Sequence, residues 1–273
     1  ANHQKYMKKI VQVIKKMVPL PLWNKARSSY FSMVGLKDRV GPYIRHRKYC
    51  GIDLYYNRGN SLIKRLKDEP IFEQDLCVAI ESELKKVPAS VFVDVGANIG
   101  LISTYMFSVL PNTKIFAFEP GENQRKLFEK TVLENKLSTI TVIGKALGDT
   151  VGEVIFHVHD PRQAALDGLQ DTHRRGSTTP VKVSMITLDS WWESAGKPKI
   201  SVIKIDTEGA ELLVLRGAQT CISTCKPVIF LEIEPSNLTA YPYDEKDIKS
   251  YIENMGYSLV ALNKDTYCAR PRN

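Results

Sequence analysis

Residues 91–100 read VFVDVGANIG, an apolar run cut by one carboxylate and closed by a glycine-framed turn. Val91, Phe92, Val93 and Val95 leave no polar face along a strand. Such a strand must be covered on both sides, as the central parallel strands of an α/β sheet are. Gly96 and Gly100 bracket a turn into a helix expected from about Leu101. Without Cβ atoms the backbone can come close to a ligand, and the helix N-terminus offers unpaired N–H groups. Asp94 falls at the carboxyl end of the strand, where open α/β sheets hold their ligands.

The spacing of the glycines narrows the ligand. A pyrophosphate cradle has the pattern GxGxxG, whereas GANIG has Ala97 after its first glycine and no other glycine until Gly100. An acid at the entrance repels phosphate and pairs with an ammonium group. S-adenosylmethionine carries the ammonium and lacks phosphate. A second strand, KIFAFEP, starts at Lys114 and ends in Glu119. An acid about twenty residues past the glycine turn can hold both ribose hydroxyls, in dehydrogenases and methyltransferases alike.

Composition bears on size and partners. A chain of 273 residues with 43% hydrophobic content can bury one large core together with a small appendage. Residues 1–50 are expected to be a basic helical extension and residues 51–273 the catalytic body. Of the 38 Lys and Arg residues, eight lie in residues 1–37, which contain no acid, so the rest of the chain balances its 30 acids. The body therefore has no basic stripe, and nucleic acid is excluded as a partner. The five cysteines form no CxxC pair and read as buried free thiols of a reducing compartment. No apolar segment approaches the roughly 20 residues of a membrane span, and no secretory signal is apparent, so a cytoplasmic location is expected. Between Lys5 and Val18, apolar residues follow helical spacing with lysines between them. That helix either rests on an anionic membrane surface, grips a partner, or covers an edge of the body.

Farther along, residues 51–66 suggest a hairpin turning at NRGN, and 73–87 a helix. GENQRKLFEKTVLENKL reads as a helix, TITVIGKAL as a third strand and GEVIFHVH as an edge strand. The polar, aperiodic residues 160–180 are a candidate lid. VKVSMITLDSW, the strand SVIKID, a helix from about Glu208, the strand PVIFLEI, a helix near 244–255 and a closing YSLVAL complete an alternating α/β pattern.

In SVIKIDTEGAE, Lys204 and Asp206 share a strand face by the period of two, with Glu208 just beyond. Charges inside an apolar run require partners or a wet cleft, so a buried ion pair and a reactive site both remain open. Glu232 and Glu234 end the neighbouring strand, which brings four acids to one sheet edge. His157 and His159 lie two apart, and His173 precedes Arg174 and Arg175 in the polar loop, where HRRGST can contribute hydrogen bonds to a substrate. No serine elbow, P-loop or zinc motif is present.

VFVDVGANIG, FAFEP, KALGD, IKIDTEGAE and FLEIEP, in this order over roughly residues 70–262, resemble the FkbM family of S-adenosylmethionine-dependent methyltransferases. The resemblance implies a class I methyltransferase fold: a Rossmann-like, mostly parallel seven-stranded sheet with helices on both faces. It implies transfer to a hydroxyl of a sugar, a glycolipid or polysaccharide, or a natural product. It places Asp94, Gly96, Asn98 and Gly100 around the methionine part of the cofactor, Glu119 on the ribose, and Ala146 with Asp149 near the adenine. Asp206, Glu208 and Glu232 become the candidate catalytic acids, and Glu73, Lys204, His173 and Arg175 the candidate substrate contacts. No metal is required, although the three catalytic acids suit Mg²⁺ as an alternative. An NAD-dependent oxidoreductase would share the first two strands, and a catalytically silent cofactor-binding module would share the fold.

Overall fold

In the computed structural model, the described residues are 44–159, 166–172 and 177–272. The segment 5–18 and the loop residues His173 and Arg175 lie outside them. The chain divides into Ala1–Ile44 and Arg45–Asn273, and the second unit carries the fold. Its strands are β1 (Ile44–Tyr49), β2 (Ile52–Asn57), β3 (Val91–Val95), β4 (Lys114–Phe118), β5 (Ile140–Ile143), β6 (Ala146–Leu147), β7 (Gly152–Val158), β8 (Thr179–Ile186), β9 (Ile200–Ile205), β10 (Val228–Glu232), β11 (Tyr257–Ala261) and β12 (Thr266–Pro271). The described helices are α1 (Ser61–Arg65), α2 (Gln74–Lys85), α3 (Leu101–Val109), α4 (Glu122–Asn135), α5 (Leu188–Ser194), α6 (Glu211–Arg216), α7 (Gln219–Cys225), α8 (Pro235–Leu238) and α9 (Glu245–Asn254).

Seven strands form one sheet in the order β11-β12-β10-β9-β3-β4-β5. From β5 to β10 the pairings are parallel, and β12 runs antiparallel between β10 and β11. This is the class I methyltransferase topology. Every residue of β3 is buried, Asp94 included, as its near-continuous apolar run requires. Val91, Val93 and Val95 join one core with Ile203, Ile205, Leu212, Leu215, Ile248 and Trp192, so α5, α6, α7 and α9 cover that face. Phe92 joins the other core with Ile80, Met106, Ile115 and Phe128, so α2, α3 and α4 cover the opposite one. Each fully buried large side chain contributes about 1.5–3 kcal/mol. Asp94 shares the parity of Phe92, and the register sets it opposite Lys204 of β9.

Several local expectations change in the structure. The hairpin turns at Cys50 and Gly51, both at positive φ (50° and 83°), which is the type I′ requirement. It therefore straddles the expected boundary at residue 50, and NRGN instead supplies Asn60, whose side chain caps α1 by accepting from the amides of Leu62 and Ile63. The third strand stops at Ile143; Ala146–Leu147 pass to a separate three-stranded sheet, β6-β8-β7, where GEVIFHV is an edge. The helix expected from Glu208 starts at Glu211, because Glu208 (φ 55°) and Gly209 (φ 108°) are left-handed. β12 was not expected: TYCARP is short, charged and ends in proline, and it inserts between β10 and the closing YSLVA.

Candidate active site

The carboxyl ends of β3, β4, β9 and β10 meet at a cavity of about 160 Å³, whose lining includes Asp94, Gly96, Asn98, Glu119, Lys204, Asp206, Glu208 and Glu232. At its base Lys204, 3% exposed, donates to the Gly96 carbonyl at 2.9 Å. Its Nζ also lies 3.3 Å from Asp94 Oδ1 and 3.3 Å from Asp206 Oδ2. Burial works against this ammonium, but the charges of Asp206, Asp94 and Glu73 outweigh it and hold its pKa above the ordinary lysine value. Asp94 is fully enclosed, and its Oδ2 accepts from Ser103 Oγ at 2.7 Å.

The turn after β3 is shaped by the protein's own backbone. A Cβ on Gly96 would stand 1.7 Å from the Asp206 carbonyl oxygen, and Gly96 has φ 75°. A Cβ on Gly100 would strike the Phe128 ring at 2.2 Å. Gly100 is not among the residues lining the cavity, and the absence of its Cβ lets α3 pack against Phe128 of α4. Gly96, Ala97, Asn98 and Ile99 do line the cavity.

Glu119 is 5% exposed and receives two backbone donors, Asn98 N on Oε2 at 2.8 Å and Gly121 N on Oε1 at 2.7 Å. Burial pushes its pKa up to about 7 against those two bonds. An ionised carboxylate has roughly four acceptor sites, so about one remains on each oxygen. Beyond it Lys145, Ala146, Leu147, Phe156 and Leu169 form a largely apolar wall. Asp149 does not reach that wall and is exposed. Gly148 is pinned by Met185 on one side and by Gly217 on the other, since a Cβ on Gly217 would stand 1.9 Å from the Gly148 carbonyl, and the chain leaves the cavity there.

At the ends of β9 and β10, carboxylate oxygens of Asp206, Glu208 and Glu232 lie within 4.8 Å of one another. The negative charge of Asp206, then burial and Glu208, drive the Glu232 carboxyl well above the ordinary carboxylate range. Glu73 also lines the cavity, from the left-handed residue (φ 46°) preceding α2, and burial pushes its pKa up to about 7. Glu234 leaves the group of four acids: it caps α8 by accepting from Ser236 N and stays in the ordinary ionised state, below the usual range.

Two carboxylates that frame the site were not singled out in the sequence. Glu211 is 2% exposed and its Oε1 accepts from Thr207 N at 3.0 Å, Thr207 Oγ1 at 2.9 Å and Gly209 N at 3.1 Å, clamping the turn that carries Glu208. Its signal was its place four residues after Thr207 at a helix start. Asp167, within the aperiodic loop, also lines the cavity, and no periodicity marks it. His157 bonds Thr178, and buried His159 bonds Asp167; neither histidine is among the residues lining the cavity.

The Methyltransferase FkbM domain matches residues 94–259. The chain belongs to this family. It is thus an S-adenosylmethionine-dependent methyltransferase. The FkbM chain is 29% identical over 196 residues to the hexuronic acid methyltransferase AglP of Haloferax volcanii, covering 71% of this chain and 74% of that protein. It is 25% identical over 174 residues to the 2-O-methyltransferase NoeI of Sinorhizobium fredii, covering 59% and 69%. Among solved structures, the FkbM methyltransferase of Methylobacillus flagellatus KT aligns with a TM-score of 0.48 at 20% identity, over 67% of this chain and 43% of that one. No described helix is long and apolar enough to cross a membrane.

Proposed function

We propose that this methyltransferase passes the methyl group of S-adenosylmethionine to a hydroxyl of a sugar, a glycolipid or polysaccharide, or a natural product. The observation that carries this reading is the mutual approach of Asp206, Glu208 and Glu232 at the carboxyl ends of β9, which pairs with β3, and of β10 beyond it. Glu119 takes the ribose hydroxyls on its remaining acceptor sites, Ala146 flanks the adenine, and Asp94 and Asp206, with Lys204 between them, leave net negative charge for the ligand ammonium. The names of the relatives AglP and NoeI support a saccharide hydroxyl as the acceptor.

In the transfer, the acceptor oxygen bonds to the methyl carbon as the carbon–sulfur bond breaks. The sulfonium keeps that electron pair as a thioether, and the hydroxyl proton passes to a carboxylate. Alignment at about 3 Å supplies most of the acceleration, and a base adds roughly a hundred- to ten-thousandfold. Asp206 is paired with the Lys204 ammonium, and the charges of Asp206 and Glu208 raise the Glu232 carboxyl; Glu208, on the turn after β9 and within 4.8 Å of Asp206 and Glu232, is the candidate base. Its left-handed backbone, clamped on both sides by Glu211, fixes its direction.

Glu208→Gln is expected to bind S-adenosylmethionine as the parent does and to lose at least about a hundredfold in turnover on a responsive acceptor. Equal turnover removes Glu208 from the mechanism. The 4.8 Å spacing also favours a second reading, in which a divalent cation bound by the three acids lowers the pKa of the hydroxyl. Loss of turnover with chelator and its return with Mg²⁺ would select it. The uncompensated basic residues of 1–37 suit an acceptor displayed on an anionic surface, such as a lipid-linked sugar, and vesicle sedimentation of the full chain tests that contact.

A further inference from the structure

The nucleoside end of the cavity holds a second carboxylate besides Glu119. Asp167 lines the cavity, with its side chain 4% exposed. It is held from two directions: Oδ1 accepts from the backbone N–H of His159 at 2.7 Å and lies 3.3 Å from His159 Nδ1, and Oδ2 accepts from Gln124 Nε2 at 2.7 Å. Gln124 belongs to the first turn of α4, directly after the Glu119 turn. The strand-like bridge between His157 and Gly168, with bonds of 2.8 and 3.2 Å, fixes the backbone next to it.

A count of acceptor sites shows what is missing. Of roughly four sites on the carboxylate, three face His159 and Gln124, and one on Oδ2 remains. Gln124 adds another: it is 1% exposed and its Oε1 has no hydrogen-bond partner. That oxygen and Glu119 Oε1 lie 2.9 and 2.7 Å from the point where a Cβ on Gly121 would stand. Acceptors thus outnumber donors here, and a buried acceptor left without a partner is destabilising. The burden is electrostatic as well, since burial and the charge of Glu119 push the Asp167 pKa up to about 7. A ligand that brings hydrogen-bond donors relieves both.

We propose that Asp167 is a second cofactor-binding carboxylate, which accepts a hydrogen bond from a donor of the nucleoside. Two donors have this chemistry, the exocyclic amine of the adenine and a ribose hydroxyl. The apolar wall of Ala146, Leu147, Phe156 and Leu169 beside Asp167 suits a flat base, which favours the amine.

Calorimetric titration of the full chain with S-adenosylhomocysteine, its deaminated 6-oxo analogue and its 2′-deoxy analogue tests this, in the parent and in Asp167→Asn. Asn keeps an oxygen for His159 N, and the Gln124 amide can turn over to face the new amide. The variant is expected to bind S-adenosylhomocysteine about tenfold to a hundredfold more weakly, as for a lost charged hydrogen bond. The loss should shrink with the 6-oxo analogue if the amine is the donor, or with the 2′-deoxy analogue if the hydroxyl is. Unchanged affinity, or an equal loss with all three ligands, overturns the proposal. Should the variant not fold, equal affinity of the parent for all three ligands overturns it. Glu119→Ala run in parallel separates the causes: weakening there with none in Asp167→Asn refutes Asp167 alone, whereas no weakening in either refutes the nucleoside placement itself.

Discussion

Replacing Lys204 with Met tests whether the charges beneath the cavity act as one unit. Lys204 is 3% exposed, and Met fills much of its volume without the ammonium. The change leaves Asp94, 0% exposed, with the Ser103 hydroxyl bond but without the ammonium, and leaves Asp206 facing Glu232 and Glu208 without the Lys204 charge. It also takes a donor from the Gly96 carbonyl. Breaking a buried pair from one side costs about 3–5 kcal/mol. In a domain of this size each kcal/mol is about 2–4 °C, so the melting temperature should fall by roughly 10 °C. Asp94→Asn should cost less, because the amide keeps the Ser103 bond and Lys204 retains Asp206 and the carbonyls. The double variant should cost less than the sum of the singles by more than about 1 kcal/mol, as expected for groups in contact. Urea unfolding of the four proteins measures this, provided the slope is constant. A loss below about 1 kcal/mol for Lys204→Met, or additivity within about 0.5 kcal/mol, refutes the reasoning.

Gly96→Ala should fail to fold or lose more than about 4 kcal/mol, since its Cβ would overlap the Asp206 carbonyl at 1.7 Å and the residue has φ 75°; a variant that melts like the parent shows that the β3 and β9 turns separate more readily than the structure implies. Burial raises Glu73, Glu119 and Asp167 to about 7 each, so the folded chain keeps protons that the unfolded chain has already released. That contribution is complete below about pH 4 and is lost as pH rises through about 7, by on the order of 1.4 kcal/mol per group per pKa unit. The ligand-free chain should therefore melt lower at about pH 7.5 than at about pH 5, and a higher melting temperature at the upper pH contradicts the burial of these acids.

The central sheet was legible because its strands are buried on both faces and leave near-continuous apolar runs, as VFVDV and SVIKI do, each broken by one charge. What sequence periodicity missed was fixed by contacts from distant parts of the chain. β12 is a strand because β10 and β11 each offer it a free edge, not because TYCARP prefers extended backbone. The acids at 206, 208 and 232 could be picked out since each falls at or just past the end of a predicted strand, and strand ends in this fold converge. Asp167 could not, because its loop has no period, and its position depends on Gln124 and His159.

The motif glycines have a second structural reason beside any ligand. Gly96 and Gly100 suggested a backbone opened toward a ligand, but each excludes a Cβ because another part of the protein already occupies that space, the Asp206 carbonyl in one case and Phe128 in the other. The contact at Gly96 ties the turn after β3 to the turn after β9 that carries Glu208, and Lys204 spans the same junction through the Gly96 carbonyl and Asp206. The turn after β3 and the turn after β9 are therefore one packed body. On the proposed reading, a cofactor placed on the first would be held in register with Glu208 on the second, which is the alignment that methyl transfer depends on.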